Sequence, residues 1–353
     1  MYVELFIEFF RLGLVAFGGP AAHVSMMHER FVEKKQWLSD KHFLDLVSLS
    51  SVIPGPSSTE LTLLIGRYRG GILGLWIAGI SFILPALSMV LGISVLYISY
   101  GDLSEVSLIL DYISPVIIAI IMYAIVKLTN KILSSYMIAF WIIFSFLIAF
   151  VFNQVFVFLI VSIFAGLLEQ IKHKIPKIRE SMSLIMILWI FFQIGATLYG
   201  SGYVLASYLE TFFVDAGILS FQEVIDAITV GQITPGPVFT TAGFVGFVIS
   251  GNIFGGLLGA FGIFLPGFLL ITFLYRWIEY LRNSTWFQPI LAALNAAAIA
   301  LMLHVVVNLT LVDVTWLKLI LMIVSFILLW SKKVTSSQLL VFVISISTIF
   351  AFT

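Results

Sequence analysis

The residues best suited to hold an anion lie in two short runs, each following a Pro-Gly-Pro triplet. Pro54-Gly55-Pro56 leads into Ser57-Ser58-Thr59-Glu60, and Pro235-Gly236-Pro237 leads into Val238-Phe239-Thr240-Thr241. Proline lacks an N–H and fixes φ, so two prolines around a glycine do not continue a helix. A helix that restarts after such a triplet presents free N–H groups and the positive end of its dipole, a ready anion site. The hydroxyls of Ser57, Ser58, Thr59, Thr240 and Thr241 would add donors. Ser57 and Glu60 are spaced as a capping box, serine at the N-cap and glutamate at N3, which accounts for Glu60 better than a proton-carrying role does. The second run has no such box, so its N–H groups are freer for a ligand.

Arg11 is the basic residue well inside an apolar segment, between Phe9-Phe10 and Leu12-Gly13-Leu14. A guanidinium there is costly unless it meets a partner or a cavity, and its fork suits oxyanions. An ion pair with Glu8 or Glu60 is the equally weighted alternative. Gly18 and Gly19, in Phe17-Gly18-Gly19-Pro20, permit close approach of an anion or of another helix. His304, beside Asn308, is with Glu60 a candidate proton site, although a lone histidine is more often a packing residue. His23, His28 and His42 fall in a polar loop and read as solvated. No metal-ligand cluster, nucleotide loop or Ser/His/Asp order stands out, and Pro54-Gly55-Pro56-Ser57 lacks the lysine of a phosphate loop. Neither a metal nor another cofactor is expected.

The elements that must position these residues are membrane helices. Of 353 residues 61% are apolar and only 10% charged, where a soluble domain carries about 25% charged residues. The mean hydropathy is +1.14. An all-α polytopic membrane protein in the lipid bilayer follows. A net charge of zero argues against nucleic acid as a partner. The absence of cysteine excludes disulfides and thiolate chemistry. Met1-Tyr2-Val3-Glu4 has no basic n-region and does not read as a cleaved signal peptide.

The sequence repeats itself. At a shift of 181, Pro54-Gly55-Pro56 meets Pro235-Gly236-Pro237, Leu84-Pro85 meets Leu265-Pro266, and Gly74 meets Gly255. Upstream the shift is 182: Phe9-Phe10 meets Phe191-Phe192, and Gly13 meets Gly195. Two homologous halves, 1–165 and 182–353, are joined by a basic cytoplasmic linker, 166–181, that holds Lys172, Lys174, Lys177 and Arg179. Arg30, Lys34, Lys35 and Lys41 of the first half face a stretch of the second, 206–226, without Lys or Arg. Basic loops stay cytoplasmic, so the halves are expected in inverted topology, a plan of secondary transporters. Lys41 and Arg67 both favour the cytoplasm only if 42–66 enters and returns as a re-entrant hairpin, with 224–250 its counterpart. Ten spans then fall near 3–20, 72–98, 112–128, 134–152, 154–171, 182–205, 253–275, 289–311, 315–331 and 337–353. Lys318 is the basic residue that this arrangement leaves on the wrong side.

These motifs resemble the chromate ion transporter family. The likeness rests on Phe17-Gly18-Gly19-Pro20-Ala21-Ala22-His23, Trp37-Leu38-Ser39, Pro54-Gly55-Pro56-Ser57-Ser58-Thr59-Glu60 and Phe82-Ile83-Leu84-Pro85-Ala86. The second half contributes Tyr199-Gly200-Ser201-Gly202, Thr234-Pro235-Gly236-Pro237, Phe244-Val245-Gly246 and Phe264-Leu265-Pro266-Gly267. The resemblance covers nearly the whole chain and implies the long, two-domain form of the family. It implies a secondary transporter in the plasma membrane that exports chromate or a sulfate-like oxyanion, and it leaves a homodimer open. Another inorganic anion, or import, is the alternative. A membrane enzyme acting on lipid phosphate fits less well, because it needs acids and histidines clustered at one membrane face.

Overall fold

The computed structural model describes residues 1–17, 19–101, 103–132, 182–199, 204–282 and 315–351, with shorter pieces of 142–145 and 293–310. Among the described residues all regular structure is helical. The first half holds α1 (Tyr2–Val15), α2 (Gly19–His28) running into a π turn, α3 (Asp40–Ser50), α4 (Ser57–Tyr100) and α5 (Ser104–Ile132). The second holds α6 (Leu184–Thr197), α7 (Leu205–Leu209), α8 (Phe221–Ile233), α9 (Thr241–Ser250), α10 (Ile253–Arg282), α11 (Trp316–Trp330) and α12 (Ser336–Ala351). Gly18, the linker 166–181, the expected spans 134–152 and 154–171, and much of 289–311 lie outside the described residues.

Three described helices are long and apolar enough to cross a membrane: Ser57–Tyr100, Leu108–Asn130 and Ile253–Tyr275. The expected spans 3–20 and 182–205 stop short. Helices α1 and α6 have 14 residues each, about 21 Å at 1.5 Å per residue, against a hydrocarbon core of about 30 Å. They end at Ala16 and Leu198.

Two glycine breaks fold the chain back on itself. Within α4, Gly70 and Gly71 leave helical geometry, Gly71 with φ 64°. The arm before them then packs on the arm after: a Cβ on Gly66 would lie 2.6 Å from the Gly74 carbonyl oxygen. The second half does the same at Gly251, φ 69°, with Gly246 against the Gly255 carbonyl. Small residues let helix backbones approach in this way. Just before the first break the His42 and Tyr68 rings lie 4.5 Å apart and Arg69 sits 5.2 Å from the Trp37 ring centre. Tyr68 thus meets His42, near the start of α3.

The chain divides into two compact units, and neither is a half of the sequence. One comprises Met1–Leu96, Met182–Gly202 and Val230–Phe287; the other Tyr97–Ser181, Tyr203–Thr229 and Gln288–Thr353. The first unit buries Leu5, Phe9, Phe82, Phe191, Phe239 and Phe244, with α10 packed on α6 and α9. In the second, α5 packs on α11 and α12. There Lys318 pairs with Asp111 at 2.5 Å, which gives this out-of-place cation a partner.

Candidate functional site

Each Pro-Gly-Pro triplet has one backbone N–H, that of its glycine, because the prolines have none. Each glycine donates it to the other half. Gly55 bonds the Leu198 carbonyl at 2.8 Å, and Gly236 bonds the Ala16 carbonyl at 2.9 Å. The acceptors sit just past the ends of α6 and α1, where helix carbonyls lack intrahelical partners. Gly55 has φ 122° and Gly236 φ 97°, a region open to glycine. All six triplet residues are buried. The short helices are seated equivalently: a Cβ on Gly13 would overlap the Phe82 carbonyl of α4, and one on Gly195 the Ile263 carbonyl of α10.

The polar residues beside the triplets differ from expectation. Thr59 and Glu60 donate their N–H groups to the Pro56 carbonyl, at 2.7 and 3.2 Å, so α4 starts on Pro56. The amides of Ser57 and Ser58 precede those first bonds and face out of the helix end. The capping box is not formed. The Glu60 carboxyl instead wedges against Gly55 and Gly267, where a Cβ on Gly267 would lie 2.7 Å from Oε1. Its Oε2 has no hydrogen-bond partner, and neither has the buried Thr59 hydroxyl. In the second run the hydroxyl protons are already engaged: Thr240 donates to Pro237 O at 2.9 Å and Thr241 to Val238 O at 2.6 Å. The Thr240 N–H bonds Pro237 O at 3.0 Å, as the Thr59 N–H bonds Pro56 O, so the second run is less free in its hydroxyls and not in this amide.

Arg11 is not brought to the triplets. Its side chain is exposed alongside Ile7, Leu14 and Val15, and it lies two residues, about 200° around the helix, from Gly13. The expected pair with Glu8 is absent because Glu8 is held by Arg30, at 2.5 and 2.8 Å, and by Lys35 at 3.2 Å. Lys35 also donates to Glu4 at 2.9 Å, and the hydrogen bonds to Glu4 and Glu8 raise its pKa. Gly19 opens α2. His304 is buried in the second unit, outside the unit that holds both triplets.

Two buried groups were not legible as such. His23 is 2% exposed, not solvated, because α2 continues through it as a packed helix. Its Nε2 lies 2.8 Å from the Ala16 oxygen, the same carbonyl that accepts the Gly236 N–H. That nitrogen must therefore carry the proton. In the second unit Asp226 is buried and accepts hydrogen bonds from Tyr97 Oη at 2.7 Å and Gln222 Nε2 at 2.9 Å. Its sequence signal was the apolar company of Val224, Ile225, Ala227 and Ile228, with Gln222 one turn before.

The chain matches the chromate transporter family twice, over residues 3–168 and over 185–351. It belongs to the chromate transporter family. Among similar proteins, a probable chromate transport protein of Synechococcus elongatus is 30% identical over 74% of this chain and 72% of its own. A chromate transport protein of Cupriavidus metallidurans is 29% identical over 75% of this chain and 72% of its own. An uncharacterized transporter of Methanocaldococcus jannaschii is 26% identical over 94% of this chain and 90% of its own. No solved structure matches the chain. Membership makes the protein a membrane transporter, and both Pro-Gly-Pro triplets fall inside the two stretches that match the chromate transporter family.

Proposed function

We propose that the protein exports chromate, or a tetrahedral dianion like it such as sulfate, across the plasma membrane, and that the anion is held beside the Pro-Gly-Pro triplets. The supporting observation is the reciprocal pair of bonds from Gly55 to Leu198 and from Gly236 to Ala16. It places four interrupted backbones, two helix ends and two helix starts, in one compact unit, and interrupted helices are where transporters hold ions. The Ser57 and Ser58 amides and the Thr59 hydroxyl are the donors on the first side. On the second, Thr240 and Thr241 keep lone pairs but no spare proton, so this side closes the site more than it binds. Gly18 and Gly19, next in sequence after Phe17, are kept in this reading as residues whose type permits close approach of the anion. The reading treats the two halves, 1–165 and 182–353, as an inverted repeat with 42–66 and 224–250 as re-entrant hairpins. The meeting of His42 with Tyr68 supports the first hairpin.

Direction follows from charge. An inside-negative potential gives an outgoing dianion about 4.6 kcal/mol per 100 mV, enough for a gradient of roughly three powers of ten. The test is uptake of chromate into inverted membrane vesicles from cells with and without the protein. Protein-dependent uptake, reduced by sulfate and less by phosphate, is expected; uptake only into right-side-out vesicles would reverse the direction.

A further inference from the structure

Glu60 is a buried carboxyl that the anion site does not use. It is 2% exposed, and its Oε2 has no hydrogen-bond partner. The two triplets are built alike except at this point. Gly236 packs on the methyl of Ala86, where its own Cβ would lie 2.8 Å from the Ala86 Cβ. In the first triplet the residue equivalent to Ala86 is Gly267, and the space of the missing methyl holds the Glu60 carboxyl against Gly55. The residue equivalent to Glu60 in the second half is Thr241, turned to the Val238 carbonyl. The carboxyl therefore has a place made for it on one side only.

Among the described residues no basic side chain meets the carboxyl there. Residues 253–274 of α10 carry no titratable side chain, and α6, whose end bonds Gly55, carries none; Tyr199 follows Leu198 there. Along the first arm of α4, Arg67 is engaged elsewhere, donating to Ile271 O and Thr272 O at 2.9 and 3.0 Å and stacking on Tyr275. Tyr68 and Arg69 lie at the far end of that arm, on His42 and Trp37. A bare carboxylate enclosed in this way would be strongly disfavoured, and ionisable groups inside membrane proteins commonly mark ion or proton paths.

We infer that Glu60 is a proton-binding site of the transporter, occupied when its carboxyl is wedged between Gly55 and Gly267 and emptied when the first triplet moves away, so that proton transfer accompanies anion transfer. The inference rests on the transport reading for its second half only. With the proton on, the neutral acid fills the gap. With the proton off, the carboxylate must leave for water, and Gly55, bonded to the Leu198 carbonyl, is free to follow.

The test uses purified full-length protein in proteoliposomes, with voltage clamped at zero by valinomycin and equal potassium. One pH unit is worth about 1.4 kcal/mol, so one coupled proton should sustain about tenfold chromate accumulation per unit of imposed pH difference. Glu60→Gln should abolish that response and flatten the pH profile of whatever flux remains. Accumulation unaffected by pH in the wild type, persisting in Glu60→Gln, or driven equally by sodium would overturn the coupling. Infrared difference spectra test the proton itself. The wild type should show a buried protonated-carboxyl band at neutral pH that Glu60→Gln removes and Gly267→Ala shifts, since the added methyl displaces Oε1. No band, or one indifferent to Gly267→Ala, would overturn the proton site. If wild-type protein moves no chromate at all, the transport reading fails and the band alone decides Glu60.

Discussion

Thr59 and Thr240 have the same side chain at equivalent places, yet one hydroxyl is free and the other engaged. Thr59 Oγ1 has no partner, whereas Thr240 Oγ1 donates to Pro237 O at 2.9 Å. A hydrogen bond to a charged ligand is worth about 1.5–3 kcal/mol. Thr59→Val should therefore weaken chromate binding about tenfold or more, and Thr59→Ser should restore it, both read from the half-saturation of vesicle uptake. Thr240→Val should instead lower thermal stability in detergent, by about 1 kcal/mol. If Thr240→Val has the larger effect on affinity, the two sides of the site have been assigned the wrong way round. The hydroxyl-rich runs could be read from the sequence because the prolines before them stop a helix. Which hydroxyl is spare could not, because that depends on whether the helix restarts as α, as at Ser57, or through a 3-10 turn, as at Val238–Thr240. His23 was misread for a related reason: a polar residue near charged neighbours looks solvated until a distant carbonyl is found to need it.

At the scale of elements, the two glycines at the triplet centres make a paired experiment. Each has positive φ, and alanine in such a conformation costs about 1–3 kcal/mol. Gly55→Ala also collides with the Glu60 carboxyl, and Gly236→Ala with the Ala86 methyl. Glu60→Ala should therefore relieve part of the damage from Gly55→Ala and none from Gly236→Ala; Ala86→Gly should do the reverse. Thermal unfolding of the single and double variants measures both cycles, and equal rescue by either partner would contradict the separate seating of the triplets. The breaks were legible as breaks, since Pro-Gly-Pro admits no other reading. The lengths of α1 and α6 were not. Hydropathy runs on past Ala16 and Leu198, and the bond that ends each helix comes from a residue far away in the chain.

At the scale of the whole molecule, the compact unit that contains both triplets draws on both halves. The halves 1–165 and 182–353, expressed separately, should be degraded or aggregate, and co-expressed they should co-purify; a stable, monodisperse single half would contradict this. Single cysteines at Lys41 and Arg69 of this cysteine-free chain should both react only with a cytoplasmic reagent, and labelling of position 69 from outside would make 42–66 a full crossing. The crossed bonds also bear on how such a chain can change over generations. Gly55 answers to Leu198 and Gly236 to Ala16, so each half is the environment in which the other is selected. A bulkier residue in one half is tolerable only where the other has become smaller, as Glu60 stands opposite Gly267 and Ala86 opposite Gly236. Two halves bound in this way can grow unlike each other, but only in matched steps.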